Sequence, residues 1–259
     1  MNHGKFQDIF LKKKYGQHFL KDQHIVDHMI EAVDIKNASV LEIGPGGGFL
    51  TKSILDYPIT RLWAFEIDPD WAEYLKKTFH DTRLEVFLEN FLDADFSRLA
   101  PYKPWTVLAN LPYQVTFPIL YLFHEHRDMF KEGVVMVQEE VAQKIVKTRG
   151  KGFGFTSVFF QYYFDWRLLD KIPPTAFNPP PKVYSRLLYF KTKNDVAPIE
   201  REEEFWKFIK ICFKQPRRTL RNNLAQSHYD MSKFPESLLA SRAQQLSIDR
   251  LKQMWQELL

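Results

Sequence analysis

The residues Asn110, Leu111, Pro112 and Tyr113 form the most informative cluster of chemistry-bearing groups in the sequence. They directly follow the apolar run 105–109, which predicts a buried strand. An amide, a rigid proline and an aromatic ring at the carboxyl end of a strand can hold a flat group that forms hydrogen bonds. We call this cluster the target grip; it suits methylation of a planar exocyclic amine, a reaction that depends largely on positioning.

The 6-amino group of adenine is a weak nucleophile, because its lone pair is delocalised into the ring. Two acceptors on its hydrogens, the side-chain oxygen of Asn110 and the main-chain carbonyl of Leu111, would draw the nitrogen toward tetrahedral geometry and free that lone pair. Tyr113 can stack on the base. No general base is needed before methyl transfer, since the proton becomes acidic only afterwards, and none of the eight histidines is assigned that role.

A glycine-rich turn, residues 44–48, precedes the target grip and joins a predicted strand to a helix. Glycines such as Gly44 and Gly46 let the backbone adopt positive φ angles and approach a ligand closely. Glu66 ends the next predicted strand, where a carboxylate can accept hydrogen bonds from both ribose hydroxyls. Phe49 stands where the dinucleotide fingerprint needs glycine, which disfavours NAD. The pattern favours S-adenosylmethionine; the alternative is a turn that only connects two elements.

Two further positions can face the same site. Asn90 follows the third predicted strand and can hydrogen-bond the edge of the cofactor adenine; an ordinary turn asparagine is the alternative. Phe177 begins a proline-rich constellation, residues 177–183, and can form the opposite wall of a base sandwich; with the next two residues, this constellation is called here the proline run, residues 177–185. The alternative for this run is a stiff polyproline connection with Phe177 inserted into the core.

Strands and helices alternate through the N-terminal part of the chain. We predict strands at 40–43, 61–67, 84–87, 105–109 and 133–137, and helices at 22–33, 49–55, 68–79 and 117–124. This alternation indicates an α/β fold with a parallel sheet and helices on both faces. An aromatic helix at 156–164 and two closing strands, 167–172 and 183–190, follow, with a proline-rich turn at 173–181 between the strands. The polar segment 193–198 marks a boundary between residues 1–193 and a small helical domain, residues 194–259.

The composition limits the class of protein. The 259 residues can bury a large core, and their 45% hydrophobic and 26% charged content is typical of a globular protein. The single cysteine, Cys212, excludes an intrachain disulfide, fits a reducing cytosol and gives no sign of a metal site. No apolar run approaches the ~18 residues of a membrane span, and the N-terminus lacks a secretion-signal pattern. We expect a cytoplasmic monomer.

The net charge of +4 is unevenly distributed. Residues 1–21 contain five lysines and one acid, and residues 207–221 contain six bases and no acid. The latter, called here the basic segment, includes four predicted RNA-binding residues: Lys214, Arg217, Arg218 and Arg221. Such clusters suit a phosphate backbone, although a solvated helix face and a flexible tail are an equal alternative on charge alone.

Five parts of the chain, in this order, resemble the small-subunit ribosomal RNA adenine dimethyltransferases. They are Tyr15 to Leu20, Glu42 to Gly46, Asn110 to Tyr113, Phe177 to Ser185 and Arg217 to Leu224. Many methyltransferases share the glycine loop. The Gln-x-Phe-Leu start, the Asn-Leu-Pro-Tyr grip and the Phe-x-Pro-x-Pro-Lys-Val run are specific to enzymes that dimethylate adenine in RNA. The arginine-rich part, expected to be helical, points to the small-subunit branch.

The resemblance implies a Rossmann-like class I methyltransferase domain, with a mostly parallel seven-stranded sheet, and an all-helical C-terminal domain. It implies S-adenosylmethionine-dependent dimethylation of the 6-amino groups of two adjacent adenosines in a 3′-terminal hairpin loop of small-subunit rRNA. The expected partner is the immature small subunit. Matching positions assign cofactor contacts to His18, Leu20, Gly44, Glu66, Asn90 and Asn110. They assign contacts with the target base to Asn110, Leu111, Tyr113 and Phe177.

Two positions depart from the family pattern, since His18 replaces the usual asparagine and Asn90 the usual aspartate. Histidine can still form a hydrogen bond, whereas Asn90 removes a charge that can affect cofactor affinity. Two alternative functions stay open. One is methylation of large-subunit rRNA, of the macrolide-resistance type; the other is a non-catalytic RNA-binding ribosome assembly factor.

Overall fold

The computed structural model describes residues 17–259 and contains a seven-stranded sheet. The strands in chain order are β1 (Phe19–Leu20), β2 (Ser39–Ile43), β3 (Arg61–Glu66), β4 (Leu84–Leu88), β5 (Trp105–Asn110), β6 (Phe130–Gln138), β7 (Phe164–Ile172), β8 (Phe177–Asn178) and β9 (Ser185–Thr192). β1 pairs with β8, and the other strands form the sheet in the order β4-β3-β2-β5-β6-β9-β7. Tyr15, Gly16 and the lysines before Lys21 lie outside the described residues.

Five neighbouring strands of this sheet, from β4 to β6, run parallel. β9 is antiparallel to β6. The strand order changes direction between β2 and β5, and ligands of open α/β sheets bind at such a switch point, beyond the carboxyl ends of the strands. Ile43 at the end of β2 lies opposite both Phe65 of β3 and Ala109 of β5, so the three strands end at one edge. The predicted α/β class is confirmed.

Ten α-helices accompany these strands in the described part of the chain. They are α1 (Gln23–Glu31), α2 (Phe49–Leu55), α3 (Pro69–Thr78), α4 (Thr116–Glu125), α5 (Glu139–Val146), α6 (Phe155–Tyr163), α7 (Glu202–Cys212), α8 (Leu220–Leu224), α9 (Glu236–Leu239) and α10 (Ile248–Leu258). Asp22 and Asp68 cap α1 and α3, accepting hydrogen bonds from His24 N at 3.1 Å and Asp70 N at 3.2 Å. These side chains satisfy amide groups that the first helical turn leaves unpaired.

Three elements near the site, β1, α5 and β8, were not predicted from the sequence. α5 follows β6 directly, and β8 lies inside the segment expected to be a proline-rich turn. β8 pairs antiparallel with β1, so that Phe177 is opposite Leu20 and Asn178 is opposite Phe19. The proline run is therefore more than a connection, because its first two residues form a separate two-stranded sheet with β1.

The basic segment does not form one continuous helix. α7 ends at Cys212, and α8 begins at Leu220 with Thr219 as its N-cap. The expected helix over residues 217–224 is therefore wrong at its start, where Arg217 and Arg218 lie in the connecting turn. Pro216 explains the break, since a proline disfavours helical geometry at the residue before it and cannot donate a backbone hydrogen bond.

The chain divides into two compact units. The first reaches Ala142 and includes Trp166–Thr192; the second contains Gln143–Asp165 and Lys193–Leu259. α6 belongs to the second unit, because its aromatic face packs against α7; the rings of Phe159 and Trp206 are 4.9 Å apart. The proposed boundary near residue 193 stays a prediction. The compact units differ from it in assigning residues 143–165 to the helical unit.

Within residues 17–259, no helix combines the length and apolar character that crossing a bilayer requires. The same residues contain no group of three or more His, Cys, Asp or Glu side chains placed to hold a metal ion. Cys212 is buried in α7, and burial raises the pKa of its thiol far above the ordinary value. The cysteine is therefore a core residue rather than a reactive thiol.

Candidate active site

The glycine loop after β2 forms the floor of a cavity at the edge where β2, β3 and β5 end. Gly44 and Gly46 have φ angles of 69° and 51°, a left-handed conformation that favours glycine. Gly46 also has a steric requirement, because an added Cβ would lie 2.3 Å from Cε1 of Phe19. The loop thus packs directly on β1, and the cavity is lined by both segments.

Glu66, at the end of β3, is held by the main chain around it. One carboxylate oxygen accepts a hydrogen bond from Gly46 N at 2.9 Å, and the other accepts from Asp68 N at 2.8 Å. Burial raises the pKa of Glu66, and these two amide donors oppose the shift. Each oxygen has another lone pair, so the fixed carboxylate keeps capacity to accept a ribose hydroxyl.

Glu42 is a second buried carboxyl beside the cavity, and the sequence predictions assigned it no role. Its side chain accepts a hydrogen bond from Oγ1 of Thr51 at 2.7 Å. Burial raises the pKa of Glu42 to about 8; the charge of Glu66 adds to the rise, and Thr51 opposes it. Glu42 is therefore largely protonated at neutral pH. An acid inside the apolar strand 39–43 was the sequence signal for this residue.

Asn90 lies at a second cavity that shares Gly44, Ile67 and Pro112 with the first. The Asn90 amide donates to Asp93 at 2.7 Å, and its oxygen accepts from Leu92 N at 3.2 Å, capping a short turn. The side chain is thus engaged locally, and contact with an adenine stays a prediction.

The two adjoining cavities fit a nucleoside with a short charged tail. Ile67 lines both cavities and is 45% exposed, although it is apolar; a flat ring placed there would cover it. Glu66 offers acceptors for ribose hydroxyls, and Leu20 adds an apolar wall. The acceptors of Glu66 and the apolar walls of the two cavities therefore suit S-adenosylmethionine.

The amide of Asn110 is oriented by the main chain of His18. Nδ2 of Asn110 donates to the His18 carbonyl at 2.9 Å. Since a carbonyl can only accept, the nitrogen must face it, and Oδ1 is the atom left to act as an acceptor. Leu111 follows with a buried side chain, and its N–H donates to Met136 O at 3.2 Å. The first two residues of the target grip are therefore fixed by His18, the residue before β1, and by Met136 of β6.

The ring of Tyr113 is fixed at its hydroxyl and on one face. Its hydroxyl is hydrogen-bonded to Oγ of Ser185 at 2.6 Å, and its ring is stacked 5.8 Å from the His18 imidazole at an angle of 27°. Nδ1 of His18 is 2.8 Å from the Pro179 carbonyl, so this nitrogen carries the proton. Ser185 and Pro179 both belong to the proline run, which supports the grip from two points.

Phe177 lies apart from the cavities, although it was predicted to form a wall for the target base. Its side chain is 1% exposed and packs in the hydrophobic core with Leu20 and Met29. This is the core position that the sequence left as the alternative. Contact between Phe177 and a base stays a prediction that the described contacts do not support.

The predicted RNA-binding residues lie around the turn between α7 and α8. Lys214 and Arg218 line a concave surface there, and Asn223 holds the turn by donating to the carbonyls of Cys212 at 2.9 Å and Gln215 at 3.2 Å. Arg217 lies in the same turn. Arg221, in α8, forms an ion pair with Glu236.

Comparison with known proteins agrees with this arrangement. The family model for ribosomal RNA adenine dimethylase matches residues 10–258. The chain is 35% identical over 254 residues to the ribosomal RNA small subunit methyltransferase A of Syntrophotalea carbinolica, covering 95% of this chain and 96% of the relative. The protein of the same name from Chlorobium phaeobacteroides is 35% identical over 257 residues, covering 98% of this chain and 93% of the relative.

Solved structures share the fold. A dimethyladenosine transferase from Plasmodium falciparum superposes with a TM-score of 0.80 at 23% identity, covering 92% of this chain and 97% of that one. The 23S rRNA methyltransferase ErmE gives a TM-score of 0.74 at 22% identity, covering 93% and 99%. The family match over nearly the whole chain confirms the resemblance identified from the sequence motifs. The chain belongs to the ribosomal RNA adenine dimethylase family.

Proposed function

We propose that this protein transfers methyl groups from S-adenosylmethionine to the 6-amino groups of two adjacent adenosines in small-subunit rRNA, giving dimethyladenosine. The target is a 3′-terminal hairpin loop in an immature small subunit during ribosome biogenesis. The observation that carries the proposal is the Asn110 amide, which the His18 carbonyl turns so that Oδ1 is the acceptor beside the cofactor cavity. Family membership and the relatives named ribosomal RNA small subunit methyltransferase A support the choice of RNA.

The residues that would hold the cofactor line the two cavities. Glu66 would accept a hydrogen bond from the ribose, and the Gly44–Gly46 loop would pass beside the charged tail. His18, just before β1, and Leu20 in β1 would close the cavity. Asn90 would lie near the adenine. S-adenosylmethionine, when bound, supplies a methyl group on a positively charged sulfur.

The target grip would act mainly by orienting the amine. Oδ1 of Asn110 and the carbonyl of Leu111 would accept the two amine hydrogens, which lowers delocalisation of the nitrogen lone pair into the ring. Tyr113 would hold the base plane by stacking, which contributes about 1–3 kcal/mol per base in other single-stranded complexes. The amine becomes positively charged during transfer, so the hydrogen bond to Oδ1 strengthens at that stage.

Phosphate binding is proposed for Lys214, Arg217, Arg218 and Arg221. Lys214 and Arg218 line a concave surface, and their positive charges suit a phosphate group. Arg221 would first have to leave Glu236, so we expect Arg221→Ala to weaken RNA binding less than Arg218→Ala. In this proposal one copy of the chain is sufficient, and the reaction takes place in the cytoplasm.

A methyl-transfer assay on immature small subunits tests the proposal. Wild-type protein should transfer methyl groups, and Asn110→Ala should reduce the rate about tenfold to hundredfold, because a hydrogen bond to a charged group contributes about 1.5–3 kcal/mol. An unchanged rate in Asn110→Ala would exclude the proposed grip. Mapping the methylated adenines by primer extension separates small-subunit from large-subunit rRNA, and a lack of transfer by wild type would favour a non-catalytic assembly factor.

A further inference from the structure

We infer that Ser185 is a positioning residue for the target base, because it fixes the ring of Tyr113. The inference rests on the proposed function, in which Tyr113 stacks on the adenine. Oγ of Ser185 and the hydroxyl of Tyr113 are 2.6 Å apart, a normal distance between two hydrogen-bonded hydroxyl groups. Ser185 is fully buried, whereas Tyr113 lies at the cavity surface.

The two partners differ in how firmly the backbone holds them. Tyr113 begins a short 3-10 turn, Tyr113–Val115, that follows the target grip. Ser185 begins β9 and lies opposite Gln138 of β6 in the antiparallel pair. The hydrogen bond therefore connects a side chain on a turn, 72 positions earlier in the chain, to a strand of the main sheet.

A second contact of the ring, the stack with His18, constrains it in a different way. The His18 imidazole stacks against the ring of Tyr113 and is itself held by the Pro179 carbonyl. Stacking limits rotation of the ring about its Cβ–Cγ bond, but a change of the χ1 torsion could still swing the hydroxyl end sideways. A hydrogen bond at the phenol hydroxyl removes that freedom, so the ring presents a fixed surface to a base.

Matched variants can separate positioning from structural support. Ser185→Ala and Tyr113→Phe each remove the same hydrogen bond while keeping the rest of the side chain. Ser157→Ala is the control, because Ser157 is also fully buried but donates to a main-chain oxygen, Lys144 O at 2.6 Å, in the helical unit.

The first measurement is single-turnover methyl transfer to immature small subunits, together with the Kd for S-adenosylmethionine. Ser185→Ala and Tyr113→Phe should each lower the rate about three- to tenfold, the size expected for one hydrogen bond, with the cofactor Kd unchanged. The double variant should be no slower than the slower single variant, since both remove one interaction. Ser157→Ala should lose thermal stability and keep the wild-type rate.

The second measurement reports on the ring without requiring activity. In protein labelled with fluorotyrosine, the ¹⁹F resonance absent from Tyr113→Phe belongs to Tyr113. It should shift or broaden in Ser185→Ala and remain in place in Ser157→Ala. An unchanged resonance in Ser185→Ala would overturn the inference, and so would an unchanged transfer rate. A wild-type protein that transfers no methyl group would instead overturn the proposed function, while the resonance still tests whether Ser185 fixes Tyr113.

Discussion

Asn110 shows how a main-chain group can determine which atom of a side chain does the chemistry. The His18 carbonyl accepts from Nδ2, and Oδ1 is left to accept from a target amine. Because this contact uses the main chain of residue 18, replacing the family's usual asparagine with histidine does not remove it. The histidine side chain has another partner, the Pro179 carbonyl. This departure from the family pattern is therefore compatible with the proposed grip.

Glu42 leads to a prediction about stability and pH. Burial raises the pKa of Glu42 from 4.5 to about 8, so the folded protein retains a proton that the unfolded chain releases in that range. Binding of this proton stabilises the folded state; the stabilisation is fully present below about pH 4.5 and is lost as the pH rises toward 8. The Glu42→Gln variant has no titrating group at this position. As the pH rises through this range, the free energy of unfolding of the wild type should therefore fall relative to that of Glu42→Gln, by at most about 1.4 kcal/mol per pH unit.

Urea denaturation of both proteins between pH 5 and pH 9 measures this difference. The gap between wild type and Glu42→Gln should widen up to about pH 8 and then level off. Thr51→Val removes the hydrogen bond that opposes the shift, so it should extend the widening to higher pH. Parallel pH profiles for wild type and Glu42→Gln would mean that the folded protein does not raise the pKa of this carboxyl.

Residue types and spacing were enough to predict several residues that line the cavity, but not how they are held. Glu66, Gly44, Asn110 and Tyr113 were identified from their places at strand ends, and all four line it. The partners that orient them lie far away in sequence: His18 is 92 positions from Asn110, and Ser185 is 72 from Tyr113. The place of Phe177 could not be predicted from the sequence, because its context is compatible both with a wall of the base site and with a position in the core.

At the scale of elements, the short pair β1–β8 connects the glycine loop with the proline run. Phe19 of β1 lies under Gly46, and Leu20 pairs with Phe177 of β8. Strands of two residues have too little periodicity to be recognised in a sequence, which is why this pair was not predicted. The strands and helices that were predicted agree with the structure to within a few residues, because their apolar positions repeat, whereas the eight-residue helix α5 was missed.

Gly46→Ala should disturb this pair and the cofactor cavity together. The added Cβ would require a left-handed alanine, costing about 1–2 kcal/mol, and would also displace the ring of Phe19. Gly150→Ala is a matched control, since Gly150 has a φ of 74° with no atom within 4 Å of an added Cβ. We expect Gly46→Ala to lose more stability than Gly150→Ala and to bind S-adenosylmethionine more weakly. Equal losses in denaturation and unchanged cofactor affinity, measured by calorimetry, would contradict the close packing of the loop on β1.

At the scale of the whole molecule, the local clustering of positive charge matters more than the modest net charge of +4. Pro216 breaks the basic segment, so Lys214, Arg217 and Arg218 are presented on a turn rather than along a helix. Asn223 supports that turn through the carbonyls of Cys212 and Gln215. The charge pattern was visible in the sequence, whereas the turn depends on these tertiary hydrogen bonds.

RNA binding should therefore depend on salt through this turn. Replacing Lys214, Arg217 and Arg218 together by alanine should weaken binding and reduce the slope of log affinity against log salt by about 2–3. The control variant replaces Lys77, Lys103 and Arg250, which carry the same total charge but pair with Glu73, Asp128 and Glu257. Its slope should match wild type. Equal slopes for both triple variants would exclude phosphate contacts at the turn.

The most direct measurement of the central claim is mass spectrometry of rRNA from a strain that lacks this protein. The strain should lack dimethyladenosine at two adjacent positions near the 3′ end of small-subunit rRNA. Expression of the wild-type chain should restore both modifications, and expression of Asn110→Ala at the same level should leave them absent or strongly reduced. Dimethyladenosine that persists in the deletion strain, or that Asn110→Ala restores fully, would contradict the proposed function or the proposed grip, respectively.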